Sequence, residues 1–357
     1  SIGFRRAFDL LTKDGFANFD CIGFSEIDNK AVTTYKANYN IDEHEVEIGD
    51  IVKFTSNMKN IESLPDFDLL TGGFPCQTFS TLGKQKGFND EDRGQMFFRI
   101  MDIVKVKKPR YILLENVKNL IHHDKGNTFA IIKQVLEEEG YKVFHSIFNS
   151  VNFHIPQNRN RVLIFATRDK FVDSEYIEKV FNNENVMVFY NELVKHHHSC
   201  STLNFENINE ILEKVVNPKY FLSEKFKPTI LVEELGNFKA KATINPKIAM
   251  TLTATMHKRH RASQDNYYSQ DFIESNGVIN HALDYTKDEL VKLPIRAITP
   301  EEAFLLQGFP KEFVYNARNS KVSDTSLYKQ AGNAVTVNTI YAVVAWLLSK
   351  GVMKEIC

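Results

Sequence analysis

Four short apolar runs constrain the fold more than any other feature of this chain. Cys21-Ile22-Gly23-Phe24-Ser25 ends on acidic Glu26, and Asp68-Leu69-Leu70-Thr71-Gly72 ends on glycine. Tyr111-Ile112-Leu113-Leu114 closes on Glu115, and Val162-Leu163-Ile164-Phe165-Ala166 is the fourth. Each has the length of a strand. Between the third and fourth, the stretch 127–139 sets Phe129, Ile132, Val135 and Leu136 on one helical face, and residues 5–11 also read as helix. Apolar strands alternating with helices predict a parallel α/β sheet covered on both faces, because a strand buried on both sides is apolar along its length. In such sheets ligands bind beyond the carboxyl ends of the strands. Here those ends carry Glu26, the turn from Gly72 to Cys76, and Glu115-Asn116.

The chain has 357 residues, enough for one large domain and a smaller one. Apolar residues make up 43 % and charged residues 25 %, ordinary values that argue against disorder and membrane classes. No stretch reads as long and apolar enough to span a bilayer, and the first residues have no apolar core of the signal-peptide kind. A soluble, cytoplasmic protein is expected. The four cysteines are far apart, so neither a zinc site nor a disulfide framework is indicated. The residue pattern changes near Phe171: alternation weakens, and Asn, Lys and Glu dominate to about Lys292. Three consecutive histidines, His196, His197 and His198, read as a solvated loop, since adjacent residues cannot easily face one ion. The run 239–261 holds Lys239, Lys241, Lys247, Lys258, Arg259 and Arg261 with no Asp or Glu, which suits either a solvated loop or a phosphate-contacting surface. After Pro294 regularity returns, and 336–348 reads as an apolar helix packing back on the first domain.

Three segments carry chemistry. In Gly72-Gly73-Phe74-Pro75-Cys76-Gln77-Thr78-Phe79-Ser80 a strand ends in glycines and a proline-stiffened turn presents a thiol. The following loop, with Gly83, Gly87 and Gly94 among charged residues, reads as one that closes over a site. Glu115-Asn116-Val117 puts a carboxylate at the end of the next strand. Gln157-Asn158-Arg159-Asn160-Arg161 precedes the fourth strand, and alternation points Gln157, Arg159 and Arg161 to one side. Two guanidiniums there would bind a carbonyl oxygen or a phosphate. Each segment alone also has a plain structural explanation: a packed thiol, an acidic loop, a solvated strand start.

In order and spacing these segments resemble the motifs of the DNA cytosine-5 methyltransferases of bacterial restriction-modification type. The resemblance extends to Arg296-Ala297-Ile298-Thr299-Pro300-Glu301-Glu302-Ala303, to Gln307-Gly308-Phe309-Pro310, to Gln330-Ala331-Gly332-Asn333-Ala334-Val335, and to the pair Thr251-Leu252. It implies an α/β fold with a Rossmann-like S-adenosylmethionine-dependent methyltransferase sheet and a smaller, irregular target-recognition domain. The implied division is a catalytic and cofactor-binding domain over 1–170 and 325–357, a recognition domain over 171–293, and a connecting hinge over 294–324.

By the same resemblance Cys76 is the nucleophile, Glu115 the acid, and Arg159 and Arg161 bind the ring oxygen of a flipped cytosine. S-adenosyl-L-methionine is the implied cofactor, without a metal. Gly3, Phe4, Glu26, Ile27, Asp50, Ile51, Phe74, Met96, Asn333 and Val335 would form its pocket, with Glu26 on the ribose hydroxyls, Ile27 against the adenine and Asp50 on its amino group. Asp50 also has the sequence setting of a simple turn former. Double-stranded DNA is the implied partner, contacted by Gln77, Ser80, Lys84, Arg93, Thr251, Lys258, Arg259 and Arg261, with His260 beside them. A cognate restriction endonuclease without a stable complex, no membrane, and a monomer complete the implied setting in a bacterium or phage.

One departure stands out. The family opens with a strand and a Phe-x-Gly-x-Gly loop, of which only Gly3 and Phe4 match here. The expectation is that the first strand and most of that loop precede Ser1 in the native polypeptide; the alternative is an impaired cofactor site and a DNA-binding regulator. A tRNA cytosine-5 methyltransferase on the same fold is disfavoured. That branch shows Pro-Pro-Cys-Gln and Cys-Phe-Thr, whereas this chain has Phe74-Pro75-Cys76 and Cys200-Ser201-Thr202. A Rossmann oxidoreductase lacks its Gly-x-Gly-x-x-Gly after a strand.

Overall fold

A computed structural model describes residues 2–41, 43–75, 96–196, 200–231, 243–260, 262–280 and 285–354. Helix α1 (Ile2–Lys13) buries Phe4, Ala7, Leu10 and Leu11, which recur at three- and four-residue spacing on one face. Strand β1 (Gly23–Phe24) leads into α2 (Asn29–Asn38), whose first turn is capped by the Asp28 side chain. Strand β2 (Val46–Glu47) pairs in parallel with β1. Helices α3 (Ile51–Thr55) and α4 (Met58–Glu62) precede β3 (Leu69–Gly73). Then follow α5 (Met96–Lys107), β4 (Tyr111–Val117), α6 (Asn127–Glu138), β5 (Lys142–Asn149), β6 (Gln157–Asn158) and β7 (Asn160–Thr167).

The main sheet has the order β3-β4-β7-β5, while β1 and β2 form a separate pair. Strands β3 and β4 run parallel, as the apolar runs predict, but β7 is antiparallel to both β4 and β5. The sheet is therefore mixed, which corrects the all-parallel expectation. The reason is connection length: only residues 150–159 join β5 to β7, too few for the crossover a parallel pair needs.

Helices α7 (Ser174–Val180) and α8 (Asn183–His196) lie past the composition change at Phe171, yet they pack on β5, and α8 also packs on the C-terminal helix. Beyond them the chain is largely irregular, with α9 (Lys227–Ile230), β8 (Ala249–Met250), β9 (Tyr267–Ser269), α10 (Gln270–Glu274), α11 (Lys287–Leu290) and β10 (Ile295–Ala297). It closes on α12 (Pro300–Leu305), α13 (Glu312–Asn319), α14 (Asp324–Asn333) and α15 (Val337–Ser349). Every residue of α15 from Val337 to Leu347 is buried, against α1 and α8. By length and composition the stretch Asp324–Ser349 would reach across a bilayer, contrary to the sequence expectation. Its apolar window is 89 % buried inside the protein, which makes it a core element.

Candidate active site

Antiparallel pairing is what assembles the site. Register sets Gly73 of β3 beside Glu115 of β4, and Val117 of β4 opposite Arg161 of β7. The carboxyl end of β4 thus meets the amino end of β7. Arg161 Nε donates to Glu115 Oε1 at 2.8 Å, with the two side chains only 17 % and 15 % exposed. Burial raises the Glu115 carboxyl above its ordinary value, against the lowering pull of Arg161 and Arg159. Arg161 Nη1 donates to the Asn160 carbonyl, and among the described residues nothing accepts from its Nη2.

Buried Asn116 follows Glu115. Its Nδ2 donates to the Phe74 carbonyl at 2.7 Å, and its Oδ1 accepts from the Val117 amide. The strand that leads into Pro75 is therefore pinned to β4 one residue past Glu115. A Cβ on Gly73 would sit 3.3 Å from Glu115 Oε2, so glycine leaves room for the carboxylate. Cys76 itself lies outside the described residues, as do Gln77, Ser80, Lys84, Arg93 and Arg261.

Arg159 does not share the environment of Arg161. It is 2 % exposed, and its guanidinium donates to the carbonyls of Leu252, Gly332 and Ala334 at 3.1, 3.0 and 2.8 Å. Burial, reinforced by repulsion from Arg161, pushes it down to about 9. The expectation of two guanidiniums offered to one ligand group is corrected here. Alternation does bring the residues near one another, but the backbone carbonyls around Arg159 occupy its terminal nitrogens. Gln157, also fully buried, donates to the Leu306 carbonyl and accepts from the Leu252 amide.

The cofactor candidates divide into two groups. Parallel pairing of β1 and β2, with Ser25 Oγ donating to the Gly49 carbonyl, brings Glu26 and Asp50 to adjacent strand ends. Glu26 Oε1 accepts from the Ile27 and Asp28 amides, and Asp50 Oδ1 caps α3 through the Val52 amide. Among the described residues no hydrogen bond reaches Glu26 Oε2 or Asp50 Oδ2. Ile27, next to Glu26 in sequence, stands 71 % exposed. Carboxylates with open oxygens at carboxyl strand ends fit the hydroxyls of a ribose and the amino group of an adenine. Asn333 is exposed at the end of α14, and Lys329 of the same helix reaches Asp28 at 2.7 Å.

The second group is packed away. Phe4 is 1 % exposed in the core with Ala7 and Leu10, so its ring is not presented to a ligand. A Cβ on Gly3 would lie 2.5 Å from the Val335 carbonyl oxygen, and Val335 is buried. Phe74 is buried, and Ile51 and Met96 pack partly buried against the same apolar cluster.

On the recognition side, β8 pairs in parallel with β6, and Thr251 Oγ1 donates to the Asn158 carbonyl. Lys258 is exposed. Arg259 differs from the expectation of a DNA contact: its guanidinium donates to the Lys219 and Phe221 carbonyls, tying its loop to the 218–221 segment. His260 is held by Asp265, an acid the basic run lacks but the fold supplies. In sequence Gly332 is one residue of the stretch Gln330-Ala331-Gly332-Asn333. A Cβ there would lie 2.2 Å from the Thr253 carbonyl carbon, so α14 and the recognition segment touch backbone to backbone.

The sequence matches the family model "C-5 cytosine-specific DNA methylase" over residues 1–348. It is 37 % identical to the type II methyltransferase M.SsoII of Shigella sonnei over 97 % of this chain and 81 % of that protein. It is 36 % identical to M1.ScrFI of Lactococcus lactis subsp. cremoris over 91 % of this chain and 71 % of that one. The fold is similar to that of S. pombe Dnmt2 methyltransferase, with a TM-score of 0.72 at 20 % identity, covering 98 % of this chain and 96 % of that chain. The chain belongs to the C-5 cytosine-specific DNA methylases and is a DNA cytosine-5 methyltransferase.

Proposed function

We propose that this enzyme methylates carbon 5 of a cytosine flipped out of double-stranded DNA, through a covalent adduct on Cys76, with S-adenosylmethionine as donor. The observation that supports this best is the Arg161–Glu115 pair, held beside the strand that runs into Phe74, Pro75 and then Cys76. Carbon 5 of cytosine is a weak nucleophile. Addition of the Cys76 thiolate to carbon 6 moves electron density to carbon 5, and a thiolate is suited to this because it is soft and forms at accessible pH. Glu115, whose carboxyl burial raises above its ordinary value, donates a proton to ring N3 as the thiolate adds. Arg161 Nη2 meets the ring oxygen, where negative charge builds. The bound donor supplies an electrophilic methyl group, in a pocket held by Glu26, Ile27, Asp50 and Asn333. Loss of the carbon 5 proton to water then expels the Cys76 thiolate, and return of the N3 proton to the Glu115 carboxylate restores the ring. A base inside a duplex cannot reach such a site, so flipping follows from the chemistry.

Lys258 and Thr251 belong to the DNA-facing surface in this reading, and Arg159 and Arg259 to its support. The type II relatives support a restriction-modification setting; in this reading the enzyme is monomeric and cytoplasmic, and a cognate endonuclease forms no stable complex with it. The test is incubation with labelled S-adenosylmethionine and either duplex DNA or tRNA. Label in DNA is expected, and a duplex carrying 5-fluorocytosine should trap an adduct on Cys76. No label in DNA overturns the reading, and label in tRNA alone replaces it. Bisulfite sequencing of methylated plasmid gives the target sequence.

A further inference from the structure

We propose that Arg159 is a positioning residue that links DNA engagement to cofactor affinity, by holding the recognition segment and the cofactor-lining end of α14 in one fork. The inference rests on the methyl-transfer reading above. One guanidinium spans two segments far apart in sequence: its Nη1 takes the Leu252 carbonyl, and its Nη2 takes the carbonyls of Gly332 and Ala334. Those last two flank Asn333, the exposed residue offered to the cofactor. The planar fork of arginine suits this geometry, because its donors are fixed relative to one another.

Leu252 is gripped through both its backbone amide and its backbone carbonyl. Its amide donates to Gln157 Oε1 at 2.9 Å, and its carbonyl accepts from Arg159 at 3.1 Å. A shift of the recognition segment toward DNA must therefore move or break the Arg159 bond. Gly332 allows no slack on the other side, since its backbone lies against Thr253 and Ala254. Gln307 extends the same grip. Its Nε2 donates to the Ala331 carbonyl, and its Oε1 accepts from Thr336. The segment that carries Asn333 and the segment that faces DNA thus share one buried anchor, and that anchor sits two residues before Arg161. Ligands that each order one side of a shared element favour one another's binding, by the same factor in both directions.

The linkage is read directly. Affinity for S-adenosylhomocysteine, the demethylated donor, is measured by titration calorimetry on the full chain, with and without saturating duplex carrying the sequence found by bisulfite sequencing. Wild type should bind roughly 5- to 150-fold tighter with duplex, and duplex affinity should rise by the same factor with the nucleoside present. Arg159→Gln should bring the ratio to one, with Arg159→Lys between, because an ammonium cannot span the carbonyls. Gly332→Ala attacks the contact from the other side and should also lower the ratio, which keeps the test open if Arg159→Gln does not give a cooperative melt. A wild-type ratio of one overturns the proposal without any variant, and so does a folded Arg159→Gln protein with the wild-type ratio. Failure of wild type to methylate DNA overturns the methyl-transfer reading and this proposal together. Methylation without linkage overturns the linkage alone.

Discussion

At Glu115 burial and an ion pair pull in opposite directions, and burial is the larger influence. The carboxyl stays protonated to higher pH than an exposed one, so the rate should fall as pH rises through its raised value. Glu115→Gln should remove that limb of the single-turnover profile and lower the rate by about 10²–10⁴. Stability carries the same sign. The unfolded carboxyl loses its proton first, so the stabilisation present at low pH is lost as pH climbs through the folded value, seen as a falling melting temperature that Glu115→Gln flattens. Cys76→Ser should cut turnover by a factor on the order of 10⁴ or more while leaving duplex binding in place, measured by label transfer and by gel shift. A serine variant with normal turnover would remove Cys76 from the chemistry. The residue types themselves were readable in the sequence. The division of labour between the two arginines was not, because the carbonyls that engage Arg159 come from residues about 93 to 175 positions away.

At the scale of elements, the apolar runs located β1, β3, β4 and β7, and helical spacing located α1, α6 and α15. The short strands β2, β6, β8, β9 and β10 and the alternating strand β5 went unread, since two- and three-residue strands have no period to detect. The direction of β7 matters most. Were it parallel to β4, Arg161 would sit at the opposite edge of the sheet from Glu115. The Asn116 bond to Phe74 fixes β3 to the same edge. Asn116→Ala should cost about 1–3 kcal/mol by orphaning that carbonyl, measured by denaturant unfolding. Single-turnover rate should fall with it, because Phe74 lies two residues before Cys76. A drop in stability with an unchanged rate would separate the pin from catalysis.

Across the whole molecule, a buried ion pair ties the segment around Glu213 to β10 and α12. Arg296 and Glu302 are both fully buried and bond through both oxygens, at 2.8 and 2.7 Å. Glu302 also accepts from the Glu213 and Thr299 amides, and so joins the recognition region, the hinge and α12. Glu302→Ala should destabilise by about 3–5 kcal/mol, since it strands a buried guanidinium; thermal unfolding would show it. A loss below about 1 kcal/mol would mean that the pair does not hold these parts together.

The sequence alone determined the α/β class, the family and the reactive residue types, because apolar runs, helical spacing and ordered motifs are local properties of the chain. Tertiary structure decided that β7 turns back against β4, that Arg161 rather than Arg159 meets Glu115, and that Arg259 ties its loop to the 218–221 segment. Each of those outcomes depends on where distant carbonyls and carboxylates come to rest, and that is set by connection lengths and packing.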